Sequence, residues 1–322
     1  MEAALYHPDF GYYTAYVQDL GDRGDFSTSP TLHRILGEAI ARWARETRKG
    51  VQLGRLDLVE IGAGNGALAR AILKATPWWI KRNLRYHIVE KSPKLQKRQK
   101  NSLGNRCTWY SCMENALDAC NGEALIVSNE LVDAFPCRRF EWIDGQWIEL
   151  ALTMEADNLQ ETSIIMKNAP DSSALQIQNP VEGQRIEVHQ SYHRWLKSWK
   201  SSWVKGAMLT IDYGNVIGEL FYRRPHGTLR AYLRQQRVEG VRVYHQMGKQ
   251  DLTADVNFTD LIKWGEQAGW KTIRFESQRE FILRIQPAAG KVAQKEAAAA
   301  FLLNTDGAGG SYKVLEQRPA SV

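Results

Sequence analysis

The chain has 322 residues, 43% of them apolar, a formal net charge of +6 and four cysteines. That is enough apolar material for one large domain with additions or for two smaller ones, and no run of about eighteen apolar residues is present to span a bilayer. Cysteines 107, 112, 120 and 137 lack a paired C-x-x-C spacing and the cations lack a stripe of interleaved aromatics, which argues against a metal site and against a nucleic-acid partner.

The opening MEAALYHPDF has neither a basic start nor an apolar signal core, so a cytoplasmic protein without membrane insertion is expected. Next comes GDFSTSP, residues 24–30. Apolar residues then recur at Leu32, Ile35, Leu36, Ala39, Ile40 and Trp43, a spacing that predicts an amphipathic helix over 31–48 opened by Ser29-Pro30. LDLVEIG predicts a strand, followed by a glycine loop, a helix over 66–75 and a strand over 86–90, which together make a βαβ unit.

A helix over 93–103, a short strand over 107–110 and the strand ALIVSNE continue the alternation. The pattern predicts an α/β fold with a doubly wound, mostly parallel, Rossmann-like sheet. Between 138 and 184 short alternating segments predict a small β insertion. A helix over 188–199 and the strand GAMLTIDYG follow, then a polar stretch over 215–255, too long for a connector and therefore read as functional. A helix over 258–268, strands over 270–275 and 281–285, an alanine-rich helix and a last strand SYKVLEQ close the chain. The expected organisation is an N-terminal lid and helix over 1–50, a core over 51–139 and 185–322 that includes the 215–255 loop, and the insertion over 140–184.

In VEIGAGNG, Gly62, Gly64 and Gly66 lie between a strand and a helix, where missing side chains let a ligand approach the backbone. The dinucleotide fingerprint has its third glycine one position later, and Glu60 would repel a pyrophosphate. S-adenosylmethionine, with a sulfonium, an ammonium and no phosphate, suits an acid there. Glu90, at the tip of the second strand, is placed to accept hydrogen bonds from ribose hydroxyls, the ordinary alternative being a strand-end acid. In SNELVDAFP, Asn129, Glu130 and Asp133 offer an amide and carboxylates beside the donor as an acceptor pocket, unless the acids only cap the next helix.

GDFSTSP, VEIGAGNGALA, IVEKSPKLQKRQ, SNELVDAFPCRRFE, IDYG, HGTLRAY and QDLTADVNFTDL, in this order, resemble the MidA-like methyltransferases, which include the mitochondrial complex I assembly factor that methylates an arginine. The likeness spans nearly the whole chain, from ALYHPDFGYYT to YKVL. It implies a class I S-adenosylmethionine-dependent methyltransferase fold, S-adenosyl-L-methionine as cofactor and a protein arginine as acceptor. By analogy, it also implies a subunit of a complex I-like dehydrogenase as partner. It favours residues 24–29 as a lid, with Asp25, Thr28 and Ser29 toward the donor, over a plain helix cap. Asp212 and Tyr213 of IDYG are then candidates for the wall of the acceptor pocket, or else buried structural partners.

Three departures stand out. Thr31 replaces a glutamate common after TSP, Asp255 replaces a histidine and Asn257 an aspartate in the block usually written TAHVDF, and the chain starts close to ALYHP, where relatives carry a further helix. An ordinary aspartate is a far weaker base than a neutral imidazole, so proton abstraction at 255 is in doubt. The competing readings are a non-catalytic assembly chaperone with the same fold, a small-molecule methyltransferase and a nicotinamide-dependent oxidoreductase. The oligomeric state is open.

Overall fold

The run Leu56–Ile61 forms β1 and is buried along its whole length, as a strand covered on both faces must be. It belongs to a computed structural model that describes residues 1–16, 32–155, 158–222, 224–233 and 236–320. In chain order β2 is Leu84–Val89, β3 Thr108–Tyr110 and β4 Glu123–Asn129. An insertion follows with β5 Arg138–Ile143, β6 Gln146–Glu155, β7 Asn158–Ile164 and β8 Arg185–Val188. Then come β9 Lys205–Asn215, β10 Arg230–Leu233, β11 Gln236–Val238, β12 Asp251–Thr253, β13 Val256–Asn257, β14 Trp270–Ser277 and β15 Tyr312–Pro319.

Two compact units arise from this order. One comprises Gln18–Leu131, Lys197–Asp212 and Gly265–Val322; the other comprises Met1–Val17, Val132–Leu196 and Tyr213–Trp264.

In the first unit the strands run β14-β15-β9-β4-β1-β2-β3. β1 is parallel to β2 and β4, β2 to β3 and β4 to β9, while β14 and β15 are antiparallel. Even-numbered side chains of β1, Leu56 and Leu58, join a core with Ile35, Leu36 and Ile40 of helix Ile35–Gly50, Ile72 of helix Ala67–Ala75, and Phe281. Strand order turns at β1, because the next strands in sequence lie on one side and β4 on the other. In open α/β sheets the crevice at that turn, outside the carboxyl ends, takes the ligand.

In the second unit β7-β6-β5-β8 form one antiparallel sheet, with Phe140, Trp147, Ile186 and Val188 in its core. Arg139 is paired with Glu187 at 3.1 Å and also with Glu161, and Arg185 joins Glu161 to Glu141 at 2.8 and 3.0 Å. The 215–255 stretch is not irregular: it carries a helix Ile217–Leu220 and a three-stranded sheet β11-β10-β12. Near the start of the chain, Tyr6 Oη donates to the Ala134 carbonyl at 2.9 Å and Tyr13 Oη to Asp251 at 2.8 Å.

One element differs in kind from its expectation. Residues expected as a strand over 281–285 lie in a helix, Gln278–Ile285, opened by a capping box in which Ser277 and Glu280 satisfy each other's backbone. A short apolar run does not distinguish strand from helix, and here the cap decides. Helix Met113–Ala119, with only Met113, Ala116 and Leu117 buried, was not foreseen.

Candidate active site

β1 ends in a loop that no residue but glycine enters easily. Gly62, Gly64 and Gly66 have φ of 68°, 53° and 75°, in the left-handed region. A Cβ on Gly62 would lie 2.9 Å from Leu131 Cδ1, so the loop passes against the residue that follows Glu130. Asn65 Oδ1 accepts from the Ala67 amide at 3.0 Å and so starts helix Ala67–Ala75. The loop presents backbone to a ligand in a cradle that side chains would fill.

Glu60 lies under this loop and is buried. The β1–β2 register pairs Leu58 with Tyr86 and Glu60 with Ile88, which puts Tyr86 on the face of Glu60, and its hydroxyl donates to Oε2 at 2.5 Å. Burial pushes the Glu60 carboxyl up to about 7, against the Tyr86 hydrogen bond and the nearby Arg70, both of which lower it. Glu90, just past β2, is buried and also raised, first by burial. Its Oε1 accepts from the Ser92 amide at 2.9 Å and its Oε2 from Gln99 Nε2 at 3.1 Å. The Lys91 amide adds a third bond, which still leaves the carboxylate a lone pair for a ligand.

Gln99 ties this region together. Its Nε2 also donates to the Gly64 carbonyl at 2.9 Å, and its Oε1 accepts from Trp109 Nε1 at 3.0 Å. The amide bridges the glycine loop, Glu90 and β3, and it is fully buried on helix Pro93–Leu103. Tyr86, Gln99 and Trp109 escaped the sequence reading, since each looked like core or like a polar helix face.

At the end of β4, Asn129 Nδ2 donates to Glu130 Oε1 at 3.0 Å, and Asn129 Oδ1 is buried without a partner. Glu130 has φ of 52°, a left-handed conformation unusual for this residue type and one that clusters at functional sites. Its amide bonds the Ile211 carbonyl at 2.9 Å. Asp212 is fully buried and its Oδ2 accepts from the Leu131 amide at 3.2 Å, fixing the turn after Glu130.

Asp133 and Tyr213 belong to the second unit, where they meet. Asp133 is buried, accepts from Thr253 Oγ1 at 2.7 Å and from Tyr213 Oη, and burial raises its carboxyl. The Arg230 guanidinium lies 4.7 Å over the Tyr213 ring. Asp255 is ion-paired with Arg230 at 2.5 Å and with Arg224. It balances two guanidinium groups, which a neutral histidine at this position would not. Asn257 Oδ1 accepts from the Thr259 amide at 3.1 Å at the start of helix Phe258–Gln267. Asp25, Thr28, Ser29 and Thr31, with the expected lid, lie outside the described residues.

Among the described residues one mixed group, Asp57, His87 and Cys120, is close enough to share a metal ion. Asp57 is already bonded to Arg85 at 2.5 and 2.8 Å and to His87 Nε2 at 2.9 Å, and burial pushes the Cys120 thiol up to about 12. These contacts account for the group as a structural network. The cysteines are free thiols.

A family model described as putative S-adenosyl-L-methionine-dependent methyltransferase matches residues 36–276. Two curated relatives, the mitochondrial protein arginine methyltransferase NDUFAF7 of Danio rerio and its homolog in Drosophila melanogaster, are 28% and 29% identical over 82% and 80% of this chain. The chain spans 66% and 63% of their lengths, respectively. The crystal structure of a Burkholderia thailandensis protein bound to S-adenosyl-homocysteine matches with a TM-score of 0.85 and 26% identity, over 98% of this chain and 86% of that one. The family match runs from the first core helix to β14, and the chain belongs to this family of S-adenosyl-L-methionine-dependent methyltransferases, whose cofactor is the one that the glycine spacing and Glu60 point to.

Proposed function

We propose that the chain transfers a methyl group to a side-chain nitrogen of a protein, arginine first, and that it serves the assembly of a complex I-like dehydrogenase. Bound S-adenosylmethionine supplies an electrophilic methyl group on a sulfonium. The loop Gly62–Gly64–Gly66 and Glu90 hold it, and Glu60 supplies negative charge beneath. Asn129 and Glu130 receive the acceptor nitrogen, with Asp212 fixing the turn that carries them. Asp133 and Tyr213, a bonded pair, are assigned to acceptor binding.

The observation that carries this reading is the buried, partnerless Asn129 Oδ1 beside the Glu130 carboxylate, at the carboxyl end of the strand next to the glycine loop. A buried acceptor without a donor is costly, and a guanidinium is a donor-only group in a planar fork. An apolar acceptor would leave that oxygen unmatched. The relatives named as arginine methyltransferases support the same choice. Localisation in the cytoplasm remains part of the proposal.

A second reading has one observation in its favour. The ion-paired Asp255 offers no free base, which suits an assembly factor that binds the donor without turnover. The test is incubation with methyl-labelled S-adenosylmethionine and arginine-bearing peptides from dehydrogenase subunits, followed by mass spectrometry. Methylarginine in the peptides, lost in Asn129→Leu, supports transfer. Calorimetric donor binding without label transfer to any peptide favours the assembly factor, and label on a small molecule refutes the protein acceptor.

A further inference from the structure

The edge of the parallel sheet at which β1 and β2 begin has a composition that the donor site does not use. Helix Trp78–Lys81 buries none of its four residues, and it opens with Trp78 and Trp79, 68% and 58% exposed, their rings T-shaped with centroids 6.0 Å apart. Cations surround it in the chain: Lys74 ends the preceding helix and Lys81 and Arg82 lead into β2, all three exposed. Lys49 and Arg55, which lead into β1, are exposed as well. Among the described residues none of these five forms an ion pair. Of the acids on this edge, Asp57 at the start of β1 is buried and bonded to Arg85 and His87, and Asp118 and Glu123 belong to the segment that leads into β4.

Helix dipoles explain cations in last turns such as Lys49, Lys74 and Lys81. They do not explain two indoles held in water. A large aromatic with one polar N–H has its preferred place where an apolar and a wet phase meet, and flanking Lys and Arg are attracted to anionic headgroups while their stems lie along apolar material. A single nucleic-acid strand instead needs a groove with ring faces open for stacking. Here the rings meet edge to face on a helix of which only Ile80 packs against the core. Among the described residues no helix is long and apolar enough to cross a membrane, so the contact is peripheral.

We propose that Trp78 and Trp79, framed by Lys74, Lys81 and Arg82, dock the protein on the surface of an anionic lipid bilayer. The glycine loop and Glu90 follow the opposite ends of β1 and β2, about 20 Å away along six strand residues. A docked protein keeps its donor site open to the aqueous phase. The inference does not rest on the acceptor chosen above.

The test is co-sedimentation of the full chain with vesicles of phosphatidylcholine containing about one third phosphatidylglycerol, against phosphatidylcholine alone. Binding to the anionic vesicles is expected, weakening as salt is raised. Trp78→Ala/Trp79→Ala and, separately, Lys81→Glu/Arg82→Glu should each lower the apparent affinity about tenfold or more, with circular dichroism and melting temperature unchanged. No binding by the wild type at low salt overturns the proposal, as does equal binding by both folded variants. Preference for a short single-stranded RNA over the vesicles, dependent on the same indoles, also overturns it and assigns this surface to nucleic acid.

Discussion

The hydroxyl of Tyr86 donates to Glu60 Oε2 across 2.5 Å, from one strand to the next inside the sheet. Because burial leaves Glu60 half-ionised near pH 7, the charge beneath the glycine loop changes across the physiological range. Between the ordinary carboxyl range and that value the folded state holds a proton that the unfolded chain has lost. The resulting stability is full at low pH and is lost as pH rises through about 7. A cationic donor favours the carboxylate, so its affinity moves the other way. Calorimetry should show donor affinity falling by up to about tenfold per pH unit below the titration point and levelling above it, with the dependence near pH 7 lost in Glu60→Gln.

Gln99→Leu removes a buried amide that serves three partners. It leaves the Gly64 carbonyl, one oxygen of Glu90 and the Trp109 indole each short of a bond. The expected loss is about 2–4 kcal/mol by urea unfolding, with donor binding weakened at least ~10-fold.

Gly62→Ala places a Cβ at a φ of 68° and 2.9 Å from Leu131 Cδ1. The leucine tip can move and the backbone cannot, so most of the cost is conformational, about 1–2 kcal/mol. Leu131→Ala added to Gly62→Ala should recover little of the lost donor affinity, measured by the same titration.

Asn129→Leu separates stability from function. It deletes a buried oxygen without a partner and also the Nδ2 bond to Glu130, two effects of opposite sign, so stability should change by no more than ~1 kcal/mol. Methyl transfer to peptide should fall at least ~100-fold, with donor affinity within about twofold of wild type. A parallel loss of stability and activity would make Asn129 a structural residue.

Asp255→Ala strands Arg230, which is largely buried, and Arg224. A broken buried pair costs about 3–5 kcal/mol, so the variant should unfold well before the wild type in a thermal melt. Asp255→His supplies a base at this position but not the negative charge, and should lose stability too. A gain in transfer rate at neutral pH would show that a base is what this chain lacks.

The parallel strands and the glycine loop were legible because one physical pattern specifies each: continuous apolar runs for doubly covered strands, and glycines where φ must be positive. The position of Glu60 and Glu90 beside that loop was legible from their offset to it. The helix Gln278–Ile285 was misread as a strand because five residues of apolar sequence carry no period, and its capping box lay just ahead of the run. Tyr86 and Gln99 were invisible because their importance depends on register and on a bond 35 residues away in sequence, from Gln99 to Gly64. The pairing of Asp255 with Arg230 and Arg224 is likewise a product of tertiary structure. Only the substitution itself showed in the sequence.

The bond from Trp109 to Gln99 gives this protein a built-in magnetic-resonance probe. The indole N–H senses the same amide that holds the Gly64 carbonyl and Glu90. Any ligand that shifts those acceptors alters the field at the ring, so the Trp109 indole proton resonance registers occupancy of the glycine loop without a label.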